Sequence, residues 1–278
     1  MIENINNSEL KEYAQKMSLY WGMARVKDWI KFYPLFPLAG AVMVGGSPPK
    51  IALILASYLM LIAYGFVVNN YFDVEIDKKH KEKVISNKNP LASGLVGRKE
   101  VEAMMAALLL GSFVLSIQLN MFGAVLLIAN AVLLTLYSGV LRLKEVPIAD
   151  IITHGLMFGA IPLAAGAVLA GGEVSAQLIA ASGIAFLLGC EALVAHQVID
   201  YEEDLGNTRT TVTMIGQRRG LILLAAISFG SVVLFIIICS GSSIPAVLAG
   251  FGLWFLLAYP VYSCRGALRD IRRLALPE

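Results

Sequence analysis

Eight stretches of about 20 mostly apolar residues dominate this chain, at 28–46, 51–72, 100–118, 120–141, 148–170, 174–199, 219–239 and 243–263. Each is long enough to cross the hydrocarbon core of a bilayer as an α-helix. Lipid leaves no partner for exposed backbone polar groups, so spans of this length must be helical. Hydrophobic residues make up 58% of the chain and charged residues 15%. That balance is too apolar for a water-soluble domain and excludes disorder. The expectation is an all-α, polytopic transmembrane bundle of eight to nine spans around a central, lipid-accessible cavity. Residues 1–278 read as one domain, with 1–24 an interfacial amphipathic segment. Tyr20, Trp21 and Trp29 are expected at headgroup level. The N-terminus lacks the short basic region and apolar core of a cleavable signal. Cys190, Cys239 and Cys264 give neither a disulfide framework nor a zinc spacing.

The net charge of +2 is bland, but its distribution is not. With those spans, 21 of the 22 lysines and arginines fall on one side and only Lys50 on the other. Basic loops stay in the cytoplasm. An integral protein of the cell membrane with cytoplasmic active-site loops is therefore expected, and no nucleic-acid partner. The oligomeric state is not legible.

Two polar motifs end long apolar helices on that side. One is Asn69-Asn70-Tyr71-Phe72-Asp73-Val74-Glu75-Ile76-Asp77 and the other His196-Gln197-Val198-Ile199-Asp200-Tyr201-Glu202-Glu203-Asp204. Residues four apart share a helix face. Asn69, Asp73 and Asp77 then form one stripe, and His196, Asp200 and Asp204 another, with Gln197 joining it. The motifs lie 127 residues apart, four spans per step, which reads as duplication of a four-helix unit. Facing carboxylate pairs call for a cation between them. Mg2+ suits oxygen ligands and binds through one or two carboxylates, waters and substrate phosphates. Two such pairs fit a diphosphate, and Lys78, Lys79, Lys88, Arg142 and Arg209 lie in the same loops. Acidic residues at a span's end can also be mere solvated helix ends. The repeated spacing on one side argues for function.

These residues resemble the UbiA superfamily of intramembrane prenyltransferases. Asn69…Asp73…Asp77 matches most of its first motif, N-D-x-x-D-x-x-x-D, and Asp200…Asp204 its second, D-x-x-x-D. Lys88-Asn89-Pro90-Leu91-Ala92-Ser93-Gly94, Tyr137-Ser138-Gly139-Val140-Leu141-Arg142-Leu143-Lys144 and Gly206-Asn207-Thr208-Arg209-Thr210 are similar to further family segments in the same order. The resemblance implies Mg2+-dependent transfer of a prenyl group from a prenyl diphosphate to a lipophilic acceptor. It implies metal roles for Asn69, Asp73, Asp77, Asp200 and Asp204, and diphosphate contacts for Arg25, Lys88, Arg142 and Arg209. Tyr137 would sit near the reacting carbon, unless it is an interfacial belt tyrosine. His196 is either a base for the acceptor or an orienting partner for Asp200. Glu191 is a base, a partner for His154, or a structural protonated carboxyl. Three departures stand out. Asn70 replaces an aspartate, Asn89 stands where arginine is common, and the family's ninth span is not evident. The competing readings are a membrane prenyl-diphosphate cyclase or hydrolase, and a secondary transporter.

Overall fold

A computed structural model describes residues 7–79, 89–241, 247, 249–250 and 252–260, with side chains from residue 14 onward. It is all-α. The principal helices are α1 (Asn7–Met23), α2 (Leu35–Met43), α3 (Pro48–Phe72), α4 (Arg98–Ile117), α5 (Met121–Ser138), α6 (Ala149–Ala170), α7 (Ala176–Ile199) and α8 (Gln217–Ser240). Six of them, α3 to α8, are long and apolar enough to cross a membrane. The chain is helical again over 252–260, within the expected last span. The tail 265–273 lies outside the described residues.

The expected first span is not one helix. A single turn (Val26–Trp29) is followed by irregular turns and then by α2, which starts after Pro34 and carries Pro37. Proline lacks the N–H that would continue the ladder, so it suits the first turn of a new helix. The same 127-residue step lands on a second irregularity, because Leu156–Ala160 form a π-helical turn inside α6 just before Pro162. Such turns absorb a residue that cannot donate and recur at functional sites. The step also relates two buried amides. Asn70 Nδ2 donates to Met23 O at 2.9 Å, and Gln197 Nε2 donates to Asp150 Oδ2 at 2.8 Å.

Helix ends follow local chemistry. Asn120 caps α5 by accepting from the Phe122 and Gly123 amides, and Ser175 caps α7 by accepting from Leu178 N. Helices α3 and α6 are the interior of the bundle, whereas α4 and α8 are exposed along most of their lengths. Apolar residues such as Phe122, Ile222 and Phe229 point outward, as lipid-facing positions require. The largest core cluster joins Ile54, Tyr58 and Leu61 of α3 to Leu127 of α5 and Met157 and Leu169 of α6.

Small residues let helices touch in a membrane, where packing rather than the hydrophobic effect holds them together. A Cβ on Gly40 would lie 2.0 Å from Leu163 O, and one on Gly166 would lie 2.1 Å from Pro37 O. The backbones of α2 and α6 are therefore in direct contact. Gly40→Ala is expected to cost about 2 kcal/mol, because backbone cannot move aside as a side chain can. Thermal unfolding in lipid nanodiscs measures this, and an unchanged midpoint would contradict the close contact.

Trp29 is packed inside the protein rather than facing lipid. It is 2% exposed, stacks on Phe66 and donates Nε1–H to Ala24 O at 2.7 Å. Trp21 remains exposed. A buried indole needs a partner for its N–H, and the carbonyl at the end of the α1 segment supplies one.

Candidate active site

Both carboxylate motifs occur where a long helix breaks. Helix α3 ends at Phe72 and Asp73 takes φ −90°, ψ 4°, after which Val74–Asp77 form one more turn. Helix α7 ends at Ile199 and Asp200 takes φ −89°, ψ 9°, followed by the turn Tyr201–Asp204. The expected stripe on one continuous helix is thus a helix with a kink at its aspartate. The i→i−4 bonds Asp77 N→Asp73 O (2.8 Å) and Asp204 N→Asp200 O (2.9 Å) carry the spacing through the kink.

The first motif meets the segment after α5. Lys144 Nζ bonds Asp73 Oδ2, and Arg142 Nη2 lies 3.3 Å from Asp73 Oδ1. Lys144 also donates to Asn69 Oδ1 at 3.1 Å, and Ser138 Oγ donates to the same oxygen at 2.9 Å. Arg142 pairs in turn with Glu145. Burial pulls the Lys144 ammonium below its ordinary pKa, while the Asp73 carboxylate opposes that shift. The Glu145 carboxylate raises Arg142, and Arg142 holds Glu145 below the usual carboxylate range. Arg142 adopts φ 44° and Arg25 φ 50°, a left-handed backbone that costs a non-glycine residue about 1 kcal/mol. Such strain concentrates at functional positions.

Asp77 is buried and accepts a 2.9 Å hydrogen bond from Asn89 Nδ2, which also donates to Asn70 O at 2.8 Å. Asn89, where arginine was the family's habit, therefore ties its loop to the motif. Asn70 bonds the Met23 carbonyl in the packing between helices. Lys88 lies outside the described residues.

In the second motif His196 Nε2 lies 3.2 Å from Asp200 Oδ2. Burial, and then the neighbouring Asp200 charge, push the Asp204 carboxyl above its ordinary range. Gln197 does not join this stripe. It turns into the protein, donating to Asp150 and accepting from Val212 N at 3.2 Å. Arg209 is exposed in the loop that follows.

A cavity of about 190 Å³ lies between the motifs. Asn69 of the first and His196 of the second both line it, with Arg25, Tyr33, Tyr137, Ser138 and His154. Phe66, Met157, Phe158 and Leu193 supply apolar wall. The structure therefore brings Arg25, Asn69, Tyr137 and His196 around one space and places Asp73 and Arg142 beside it through Asn69 and Lys144. Tyr137 faces the cavity, with its ring 6.3 Å from that of His154. None of Asp73, Asp77, Asp200, Asp204, Arg142 and Arg209 lines it directly.

Sequence reasoning passed over Lys144, Ser138 and Tyr33. Lys144 and Ser138 stand in the Tyr137–Lys144 segment that carried part of the resemblance, so a signal was present. Tyr33 had none. Glu191 does not pair with His154. It is fully buried between α7 and α8, and its oxygens make no hydrogen bond of good geometry, since the nearby Ser228 hydroxyl donates to Leu224 O at 2.9 Å.

Known proteins resemble this chain in sequence and in fold. The chain is 29% identical over 197 residues to the 4-hydroxybenzoate octaprenyltransferase of Haemophilus ducreyi, covering 69% of this chain and 68% of that one. It is 28% identical over 226 residues to the digeranylgeranylglyceryl phosphate synthase of Thermococcus kodakarensis, covering 80% and 75%. A UbiA homolog from Archaeoglobus fulgidus, solved bound to DMAPP and Mg2+, superposes with a TM-score of 0.77 at 22% identity over 87% of this chain and 86% of that one. The model of the UbiA prenyltransferase family matches residues 34–276. With that match spanning both motifs, this integral membrane protein belongs to the UbiA prenyltransferase family and is an enzyme of that type.

Proposed function

We propose that this enzyme transfers a prenyl group from a polyprenyl diphosphate to a lipophilic acceptor, aromatic or lipid, at the cytoplasmic rim of its cavity, with Mg2+ as cofactor. The observation that carries this reading is the single cavity reaching Asn69 of one motif and His196 of the other. The donor set suits Mg2+, being oxygen-only at Asn69, Asp73, Asp77, Asp200 and Asp204. Asp204 stands one helical turn after Asp200, and the repulsion between two such carboxylates is what a cation would relieve. Among the described residues no three acidic, histidine or cysteine side chains converge on one metal position. Substrate oxygens and water would complete the shell, as is usual for Mg2+. When bound, the ion neutralises charge on the departing diphosphate.

The protein's own groups do the rest. Lys144 and Arg142, which meet Asp73, carry the positive charge a diphosphate needs, and Arg25 supplies more at the cavity wall. Arg209 and Lys88 are the further cations that the family resemblance assigns to the diphosphate. The π-face of Tyr137 stabilises positive charge on the allylic carbon, a contact worth about 2 kcal/mol when desolvated. Phe66, Met157 and Phe158 keep water from that carbon. His196 orients Asp200.

The test uses purified protein in nanodiscs with labelled geranylgeranyl diphosphate, offering 4-hydroxybenzoate or geranylgeranylglyceryl phosphate as acceptor. A prenylated product that disappears with EDTA is the expected result. A donor neither bound nor consumed overturns the reading. A cyclised or hydrolysed prenyl product with every acceptor refused favours the cyclase or hydrolase.

A further inference from the structure

The diphosphate chemistry leaves one polar pair in the cavity without a task. His154 lies in α6 and Tyr33 in the turn before α2, and both line the space that reaches Asn69 and His196. A histidine inside a membrane span is costly and calls for a partner or a function. His154 is 6% exposed, and its Nδ1 sits 2.8 Å from Gly189 O. A carbonyl only accepts, so Nδ1 carries the ring proton and Nε2 is left as a lone pair. The close approach of Gly189 to Gly155, where a Cβ would lie 2.9 Å from Gly155 Cα, holds that carbonyl against α6.

Nε2 is 3.5 Å from Tyr33 Oη, so in this long contact Tyr33 donates. The phenol oxygen therefore offers only lone pairs to a third group. The Tyr33 ring is fixed by stacking on Phe158 at 4.2 Å, and Phe158 packs 4.8 Å from the His154 ring. A chain of acceptor, donor and acceptor thus runs from the cavity to an imidazole whose tautomer is set from behind.

We propose that Tyr33 and His154 form the acceptor subsite for an alcohol, with Tyr33 Oη accepting from its hydroxyl and His154 Nε2 taking its proton. This rests on the transfer reading above. As the acceptor oxygen bonds to the prenyl C1, the C1–O bond to diphosphate breaks and the diphosphate leaves with the electron pair. The acceptor O–H proton passes to Tyr33 Oη while the proton of Tyr33 passes to Nε2. The imidazolium returns it to water, by way of Tyr33, after the ether leaves. Tyr33 touches the substrate and is a catalytic residue in this scheme, and His154 is its relay.

The experiment compares wild type, Tyr33→Phe and His154→Gln in nanodiscs, with geranylgeranyl diphosphate as donor and geranylgeranylglyceryl phosphate as acceptor. General-base catalysis contributes about 10²–10⁴-fold. Each variant is expected to lose about a hundredfold in kcat for ether formation. Mg2+-dependent donor binding should stay within twofold, and slow donor hydrolysis should persist. Tyr33→Phe keeps the ring stacked on Phe158, so it decides the matter if His154→Gln unfolds. Unchanged kcat and acceptor KM in Tyr33→Phe overturn the proposal. So does a fall in donor binding that parallels the fall in kcat, because that marks a structural role. A wild type that binds no donor overturns the transfer reading itself. A wild type that binds and hydrolyses the donor yet alkylates no alcohol overturns only this subsite.

Discussion

Replacing Asp73 or Asp200 by alanine is expected to lower prenyl transfer about a thousandfold. Each aspartate sits at the kink that ends a long helix, and the two kinks share nearly identical dihedrals. A ligand that holds a charge-neutralising cation contributes several kcal/mol to the transition state. Each 1.4 kcal/mol is tenfold, so a loss of about 4 kcal/mol gives a thousandfold. Asp73→Ala also strips Lys144 and Arg142 of their carboxylate partner. Those cations remain able to meet a diphosphate, so donor affinity in the absence of Mg2+ should hold or rise. Asp200→Ala removes the partner of His196 and the charge beside Asp204. Single-turnover release of labelled diphosphate, measured with and without Mg2+, checks both. If either variant releases diphosphate at the wild-type rate, that motif holds no metal.

Asp150→Ala is expected to be the most destabilising change outside the motifs, by about 3 kcal/mol. Asp150 is fully buried at the start of α6, and its carboxyl receives four hydrogen bonds, from Ile151 N, Thr211 N, Thr211 Oγ1 and Gln197 Nε2. Removing it leaves the Thr211 amide and the Gln197 side chain buried without that partner, and each such loss costs about 1–3 kcal/mol. Ile148, two residues earlier, is held at φ 73° with its N–H on Thr211 Oγ1 at 2.6 Å. The network therefore anchors the loop after the second motif to the start of α6. Asp150→Asn keeps the shape and some acceptors, so about half the loss is expected. Thermal unfolding in nanodiscs reads the difference, and equal midpoints for Asp150→Ala and wild type would contradict the network.

The two motifs that flank the candidate site were legible from spacing. Asn69, Asp73, Asp200 and Asp204 stand out because carboxylates and amides are rare at the ends of such apolar runs. Six of the eight expected spans correspond to long helices. The first does not, because Pro34 and Pro37 interrupt a stretch whose apolar content alone looked continuous. Periodicity also misplaced Gln197, which shares a face with Asp200 in an ideal helix yet turns toward Asp150. Trp29 looked like an interfacial anchor by residue type, and only its contact with Ala24 O showed it to be core. Tyr33 carried no local signal, since its partner His154 is 121 positions away.

The sequence by itself determined that this chain lives in a bilayer, and it set two acidic motifs 127 residues apart at the ends of apolar helices as the candidates for its chemistry. Run length and charge asymmetry are local properties, so they survive without coordinates. Tertiary structure alone decided which polar groups face the cavity and which pair with one another. That depends on the rotation of each helix about its axis, and close backbone contacts such as Gly40 with Leu163 and Gly166 with Pro37 set it. A helix rotated by a third of a turn would present a different face to the cavity while leaving every spacing in the sequence unchanged.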